Sequence, residues 1–239
     1  MKKSLLSTLT LLAAVSLLAA DANPKDDVTS AAAALGNQQN YSWRTTVEAG
    51  NGGFRRGPTD GKTEKGGCTV LTLSFNDNSA QVIIQGTNAA IKSGDNGWQS
   101  AAEALQDNSG GGFNPGTFLA RMAPNYKTPA AEAASLAAGA TDLKTSTNGI
   151  SGDLTEDAAK ALLTFRRGGN GNGPTVTDPK GSVTFWITDG KLVKYQTHVT
   201  GTVSFNGNDR DVDRTTTTEI KDVGTTKVEV PDDAKKKLK

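Results

Sequence analysis

One histidine, His198, and one cysteine, Cys68, limit the chemistry that this 239-residue chain can perform with its own side chains. A single imidazole and a single thiol assemble no histidine- or thiolate-based zinc site. A Ser-His-Asp triad would have to use His198, and the alternation of Lys194, Gln196, His198 and Thr200 puts that residue mid-strand on a wet face. No G-x-S-x-G elbow is present: Gly149-Ile150-Ser151-Gly152 comes nearest and misses the second glycine spacing. Asp209, Asp211 and Asp213 start with the spacing of a calcium loop, but Arg214 stands where that loop needs glycine and Ile220 where it needs glutamate. They read instead as a polar strand face with Arg210 and Arg214 as neighbours. The glycine-rich runs 110–112 and 168–173 lack the strand-to-helix setting and the lysine of a phosphate loop. No catalytic residue, metal ligand or cofactor site is therefore assigned.

A recurrence suggests binding instead. Phe54-Arg55-Arg56-Gly57-Pro58-Thr59 returns as Phe165-Arg166-Arg167-Gly168, with Gly173-Pro174-Thr175 after an inserted Gly/Asn stretch. The guanidinium pairs Arg55, Arg56 and Arg166, Arg167 have the fork geometry to clamp phosphate or carboxylate, such as a lipid head group or an anionic envelope polymer. The same residues also serve as solvated loops whose phenylalanines anchor the edge of a core.

Composition narrows the class. Charged residues are balanced to a net +1, so nothing draws the chain generally to nucleic acid or to an anionic bilayer. Its polar excess is Thr, Asn and 27 Gly rather than blocks of one charge, which is the composition of strands and turns. Lys2 and Lys3 precede an apolar run over 5–18, and Ala20 and Ala22 suit cleavage by a signal peptidase after either alanine. Residues 1–22 are thus expected to be a secretory signal and 23–239 one folded domain, exported to a periplasm or beyond. The apolar run is shorter than a membrane span and is interrupted by Ser and Thr, and no cysteine follows it for lipid attachment, so the mature chain is expected to carry no membrane span. Cys68 lacks a partner within the chain and reads as a small buried hydrophobe, a reactive thiol being the other reading.

The elements follow from periodicity. A helix is expected over 26–36, rich in alanine and closed by Gly36. Tyr41, Trp43, Thr45 and Val47 then share one face of a strand, with Ser42, Arg44, Thr46 and Glu48 on the other. Asp60-Gly61 and Gly66-Gly67 punctuate a short strand, and strands over 69–75 and 80–86 form a hairpin through Asn76-Asp77-Asn78. Helices are expected over 101–105, 117–122 and 129–138, then strands over 141–145 and 150–154, then a helix capped by Thr155 that presents Ala158, Leu162 and Phe165 and ends at Gly168. Three long strands, 182–188, 192–205 and 210–222, turn at Asp189-Gly190 and Asn206-Gly207. Val193, Tyr195, Val199, Val203 and Phe205 are expected to share a face, and Trp186 to point opposite Phe185. A strand over 227–230 and one last helical turn close the chain. This order implies an α+β fold: a strongly curved antiparallel sheet, a half-barrel, with small helices covering its concave face.

Two tracts carry a family resemblance. Thr215-Thr216-Thr217-Thr218-Glu219-Ile220-Lys221-Asp222-Val223-Gly224, with Val228-Glu229-Val230-Pro231 beyond it, is similar to the terminal strand and exit of the LppX/LprG-type lipoproteins. Gly181-Ser182-Val183-Thr184-Phe185-Trp186-Ile187, followed by Asp189-Gly190-Lys191-Leu192-Val193-Lys194-Tyr195, is similar to their hairpin. In layout most of the mature chain resembles the wider LolA/LppX group of exported lipid-handling proteins, although the lipidated cysteine is missing. The resemblance implies a half-barrel that holds acyl chains and carries a lipid or lipoprotein between membranes, without enzymatic activity. On that reading the ligand is a lipid or acylated molecule, envelope proteins are further partners, and nucleic acid is none. Tyr41, Trp43, Phe75, Trp98, Phe118, Met122, Phe185 and Tyr195 are the cavity-lining candidates, each equally an ordinary core residue. The alternative is a structural or interaction module of the envelope that fills its cavity with its own helices and binds a protein or glycan through its loops.

Overall fold

The computed structural model describes residues 23–50, 57–75, 78–107, 113–164, 174–205 and 207–239. Its frame is one open antiparallel sheet of eleven strands in the order β6-β5-β4-β3-β2-β1-β11-β10-β9-β8-β7. All neighbours are consecutive in the chain except β1 and β11, which pair Trp43 with Ile220 and Thr45 with Thr218 at the centre. The strands are β1 (Asn40–Ala49), β2 (Thr59–Glu64), β3 (Thr69–Phe75), β4 (Asn78–Gln85), β5 (Asn88–Ser93), β6 (Gln99–Ser100), β7 (Ala140–Ser146), β8 (Gly149–Leu154), β9 (Thr175–Thr188), β10 (Lys191–Phe205) and β11 (Asn208–Lys221). The sheet does not close, and its bend makes the expected half-barrel. Right-handed twist and bulges between Leu192 and Lys194, Thr200 and Thr202, and Thr141 and Lys144 increase that bend locally.

Five helices cover the concave face: α1 (Pro24–Gly36), α2 (Ala101–Gln106), α3 (Pro115–Met122), α4 (Pro129–Gly139) and α5 (Glu156–Leu163). Each is started by local chemistry. Asn23 caps α1, a reciprocal Ser100/Glu103 capping box opens α2, Asn114 caps α3 with Pro115 behind it, and Thr155 caps α5. Phe113 and Phe118 flank the Asn114 cap with ring centroids 5.7 Å apart, the hydrophobic staple that fixes the entry of α3. α1 and α4 lie side by side, Val28, Ala31, Ala32 and Leu35 against Ala130, Ala133, Leu136 and Ala137, and alanine lets the two backbones approach closely.

Several expectations are corrected. Val193 is 39% exposed while Leu192 is buried, because the bulge beside it flips the alternation at the start of β10. Gly61 is not a turn residue but lies within β2 opposite Trp43. β9 starts at Thr175, seven residues earlier than expected, running through Pro179. α5 ends at Leu163, so Ala159 and Leu163 are its buried residues; Phe165 lies outside the described residues.

The sixth helix, α6 (Asp232–Lys235), sits on the opposite, convex face. Residues 225–231, which include the strand expected over 227–230, carry the chain there without joining the sheet. Ala234 and Leu238 close over Cys68, Ile83 and Ala90, with Val70, Trp98, Val228 and Val230 at the margin. Asn88 donates to the Leu238 carbonyl at 2.9 Å, and Lys237 pairs with Glu103 at 2.8 Å. Cys68 is buried under this strap, and burial together with Glu64 raises its thiol above the ordinary pKa. Removing residues 231–239 should therefore speed native-state labelling of Cys68 by a thiol reagent by at least about tenfold. Equal labelling rates in the full and shortened chains would show that the strap does not protect it.

Candidate functional site

The concave face acquires its lining from β-alternation. Tyr41, Trp43, Thr45 and Val47 point inward from β1, Leu71, Leu73 and Phe75 from β3, and Val183 and Phe185 from β9. Tyr195 and Val199 add to this from β10. Tyr41 and Trp43 stack at 5.6 Å between ring centroids, and Phe185 and Tyr195, cross-strand partners, at 6.5 Å. Trp43 lies flat across β2: a Cβ at Gly61 would come within 2.1 Å of its Cε2 and Cζ2. Glycine is thus required at position 61 by the indole, not by a turn. Farther along, Phe75, Phe113 and Phe118 form a cluster with centroids 5.5 to 6.3 Å apart.

Of the eight lining candidates, Tyr41, Trp43, Phe75, Phe185 and Tyr195 are buried on the concave side, with Phe118 and Met122 of α3 packed beside them. Trp98 is placed elsewhere, in the convex cluster under the C-terminal strap. Trp186 points opposite Phe185, as expected, and Lys194 Nζ stands 3.9 Å above its ring. Arg55, Arg56, Arg166 and Arg167 lie outside the described residues. His198 is on the wet face of β10, 2.9 Å from Asp213. Asp209 and Asp211 point the same way and bond Ser204 and Thr202, so the three carboxylates form a rung-by-rung ladder with β10 on a strand and not a loop.

A polar cluster beneath α4 escaped the sequence analysis. Glu132, in the first turn of α4, reaches down to the sheet, where the Tyr195 hydroxyl donates to its Oε2 at 2.5 Å. Tyr126 and Tyr41 complete the cluster, and Thr218 approaches Tyr195 from β11. Burial pushes the Glu132 carboxyl above its ordinary pKa, against the opposing pull of Tyr195 and Lys127. Burial likewise drives the Tyr126 and Tyr195 phenols well up, the nearby Glu132 adding to the shift. A glutamate near a helix start reads in sequence as a partner of the helix dipole, which is why its burial was missed.

At one end of the sheet a groove of about 530 Å³ opens between α1 and the β7–β8 and β9–β10 turns. Ala31, Ile150, Phe185 and Ile187 contribute its apolar part, continuous with the core, and Asp27, Ser30, Thr145, Ser146, Thr147 and Thr188 its polar rim. Its size falls within the ~300–1,000 Å³ of small-molecule sites. The Asp189-Gly190 turn beside it has φ of 51° and 72°, the left-handed pair of a tight hairpin, as the sequence implied.

No protein-family model and no curated protein matches the chain. Among solved structures it is similar to LprF from Mycobacterium bovis, with 12% identity, a TM-score of 0.46, and coverage of 88% of this chain and 97% of that one. It is similar also to the lipoprotein LppX of Mycobacterium tuberculosis, with 11% identity, a TM-score of 0.44, and coverage of 89% and 100%. A LolA superfamily protein from Nitrosomonas europaea matches with 6% identity, a TM-score of 0.33, and coverage of 86% and 94%.

Two outcomes follow for the site. Gly61→Ala should lower stability by about 1–3 kcal/mol in urea unfolding, because the indole must leave its place. Glu132 has a raised pKa in the folded chain, so its contribution to stability is full below the ordinary carboxyl pKa and is lost as pH rises through the raised value. Glu132→Gln should therefore flatten the decline of stability with rising pH and melt higher than the parent at neutral pH; an unchanged pH profile would refute the buried-acid assignment.

Proposed function

We propose that the chain is an exported, non-enzymatic binding protein that shelters a lipid or other apolar ligand of the cell envelope against the concave face of its sheet. The observation that carries this reading is the groove beside α1, whose floor is closed by the buried Ala31, Ile150 and Phe185 and the partly buried Ile187, so that only these side chains separate the opening from the core. A ligand tail entering there meets the aromatic layer of Phe185 and Tyr195 directly, while the hydroxyl rim of Thr145, Ser146, Thr147 and Thr188 stays wet. Signal peptide, export and transport between envelope partners belong to the same proposal, resting on residues 1–22 and the resemblance described above. Among the described residues no helix is long and apolar enough to cross a membrane.

A second reading has an observation of its own. Beneath α1 and α4 the concave face is filled by the protein's own side chains, Val28, Ala31, Ala133 and Ala137 being 0–2% exposed. That packing suits a structural or interaction module of the envelope, with loops engaging a protein or glycan.

The two readings separate in one experiment. Protein purified from its native envelope is extracted with organic solvent for mass spectrometry, and uptake of a fluorescent fatty acid is measured for the parent and for Ser30→Trp. Ser30 is exposed on the groove rim, so an indole there obstructs the opening without entering the core. Co-purifying lipid, and uptake weakened about tenfold or more in Ser30→Trp, is the expected result. No lipid and no uptake would leave the interaction module standing alone.

A further inference from the structure

Arg214 is on the wrong side of its strand for the role that the sequence suggests. Asp209, Asp211 and Asp213 of β11 face outward to Ser204, Thr202 and His198, whereas Val212, Arg214, Thr216, Thr218 and Ile220 face inward with the core. Arg214 pairs with Val199 on β10 and with Ala49 on β1. Its Nη2 donates to the main-chain carbonyl of Leu162, in the last turn of α5. Among the described residues no carboxylate lies within ion-pair distance of it. The carboxylates nearest in register, Asp213 and Glu48, belong to the outer face. Segments 51–56 and 165–173, which follow β1 and α5 in the chain, contain no Asp or Glu at all.

A guanidinium carries five N–H donors. The Leu162 carbonyl uses one, and the C-terminus of a helix supplies only about half a negative charge. Capping α5 therefore leaves the guanidinium charge without a carboxylate partner among the described residues, and since no nitrogen of Arg214 is both fully buried and unbonded there, the donors left over remain accessible; desolvation pulls the Arg214 pKa below the ordinary arginine value. A desolvated cation without a counter-ion is costly, and the planar fork fits a carboxylate with two parallel bonds. Beyond Arg214, toward the β10–β11 turn, partly buried Val203 and Val212 continue the apolar concave surface. The groove lies toward the other end of the sheet, its nearest wall, Phe185, standing at the Tyr195 level, four residues or roughly 13 Å along β10 from the level of Arg214.

We infer that Arg214 is the head-group site for an anionic amphiphile, its fork holding a carboxylate whose alkyl tail lies along Val212 and Val203. The inference rests on the reading of the chain as a binder of apolar ligands and names the class: a long-chain carboxylate, not a neutral lipid.

Isothermal titration with sodium oleate, oleyl alcohol and acetate tests it on the parent, Arg214→Gln and Arg214→Lys. Oleate should bind the parent at least tenfold more tightly than oleyl alcohol, with acetate weaker than either. Arg214→Gln should bring oleate and alcohol to equal affinity while leaving alcohol binding unchanged. Arg214→Lys should keep part of the preference, since it retains charge and loses the fork. Equal affinity of the parent for oleate and alcohol would overturn the head-group site and leave the apolar-binding reading intact, as would a preference that survives in Arg214→Gln. Acetate binding as tightly as oleate would show a bare anion site and overturn the amphiphile. Binding of neither long-chain probe would overturn both readings. Should Arg214→Gln fail to fold, the oleate-to-alcohol ratio of the parent decides by itself.

Discussion

An open sheet with an apolar concave face cannot remain uncovered in water, and everything distinctive about this chain follows from how that face is covered. The buried faces of the covering helices α1 and α4 are rich in alanine, so they bring little apolar area of their own. Adhesion comes from the large residues: Tyr41, Trp43, Phe185 and Tyr195 on the sheet, Leu35 and Leu136 on the helices. Each such side chain contributes about 1.5–3 kcal/mol on burial, against a fraction of that for an alanine. Thin helices on thick aromatics produce a layer that is closely packed yet fastened at few points. A cover of that kind is compatible with both a filled resting interior and its later displacement by an apolar molecule that replaces the same contacts.

The polar groups beneath the cover refine this picture. Glu132 reaches the sheet from α4 and Arg214 reaches α5 from the sheet, so each of these helices has one ionisable tie crossing the interface. The two ties respond oppositely to burial: desolvation favours the neutral form of Glu132 and costs Arg214 its hydration without neutralising it, arginine remaining charged. They pair Val199 and Thr218 levels of β10 and β11 that are four residues apart, too far to neutralise one another. The acid is bonded within the protein by Tyr195, whereas the guanidinium meets the Leu162 carbonyl and, among the described residues, no carboxylate.

Periodicity made much of the frame legible. The aromatic stripe of β1, the Asp189-Gly190 hairpin, the cap at Thr155 and the alanine-rich helices all depend on contacts within a few residues, which a sequence displays. What escaped depends on partners distant in the chain. Gly61 reads as punctuation until Trp43, on a neighbouring strand, is seen lying over it. Residues 227–230 have strand composition, yet β11 just before them is already paired on both sides, by β1 and β10, and they cross to the convex face instead. Val193 follows the expected parity but a bulge reverses it. For the site, Arg214 had a usable signal: it shares parity with Val212 and Ile220, and grouping it with the aspartates ignored the alternation applied correctly to β1. Glu132 had no comparable signal, because nothing local distinguishes a helix-start glutamate that faces solvent from one that faces a distant tyrosine.

The distribution of exposed apolar surface bears on the choice between a ligand and a standing protein partner. The large hydrophobic residues exposed among the described residues are Leu105, Phe113, Val193 and Val223, each on a different segment. Stable protein interfaces need a contiguous, mainly apolar centre, and scattered single residues do not supply one. The apolar area that could have served on the convex face, around Cys68, Ile83 and Ala90, is occupied by the chain's own C-terminus. With that patch sealed, the groove beside α1 is a concavity whose dimensions suit a small molecule rather than a folded surface, its floor closed by the buried side chains of Ala31, Ile150 and Phe185. The strap thus does more than stabilise β3–β5: it covers the apolar convex face, so that the proposed ligand would meet the sheet from its concave side.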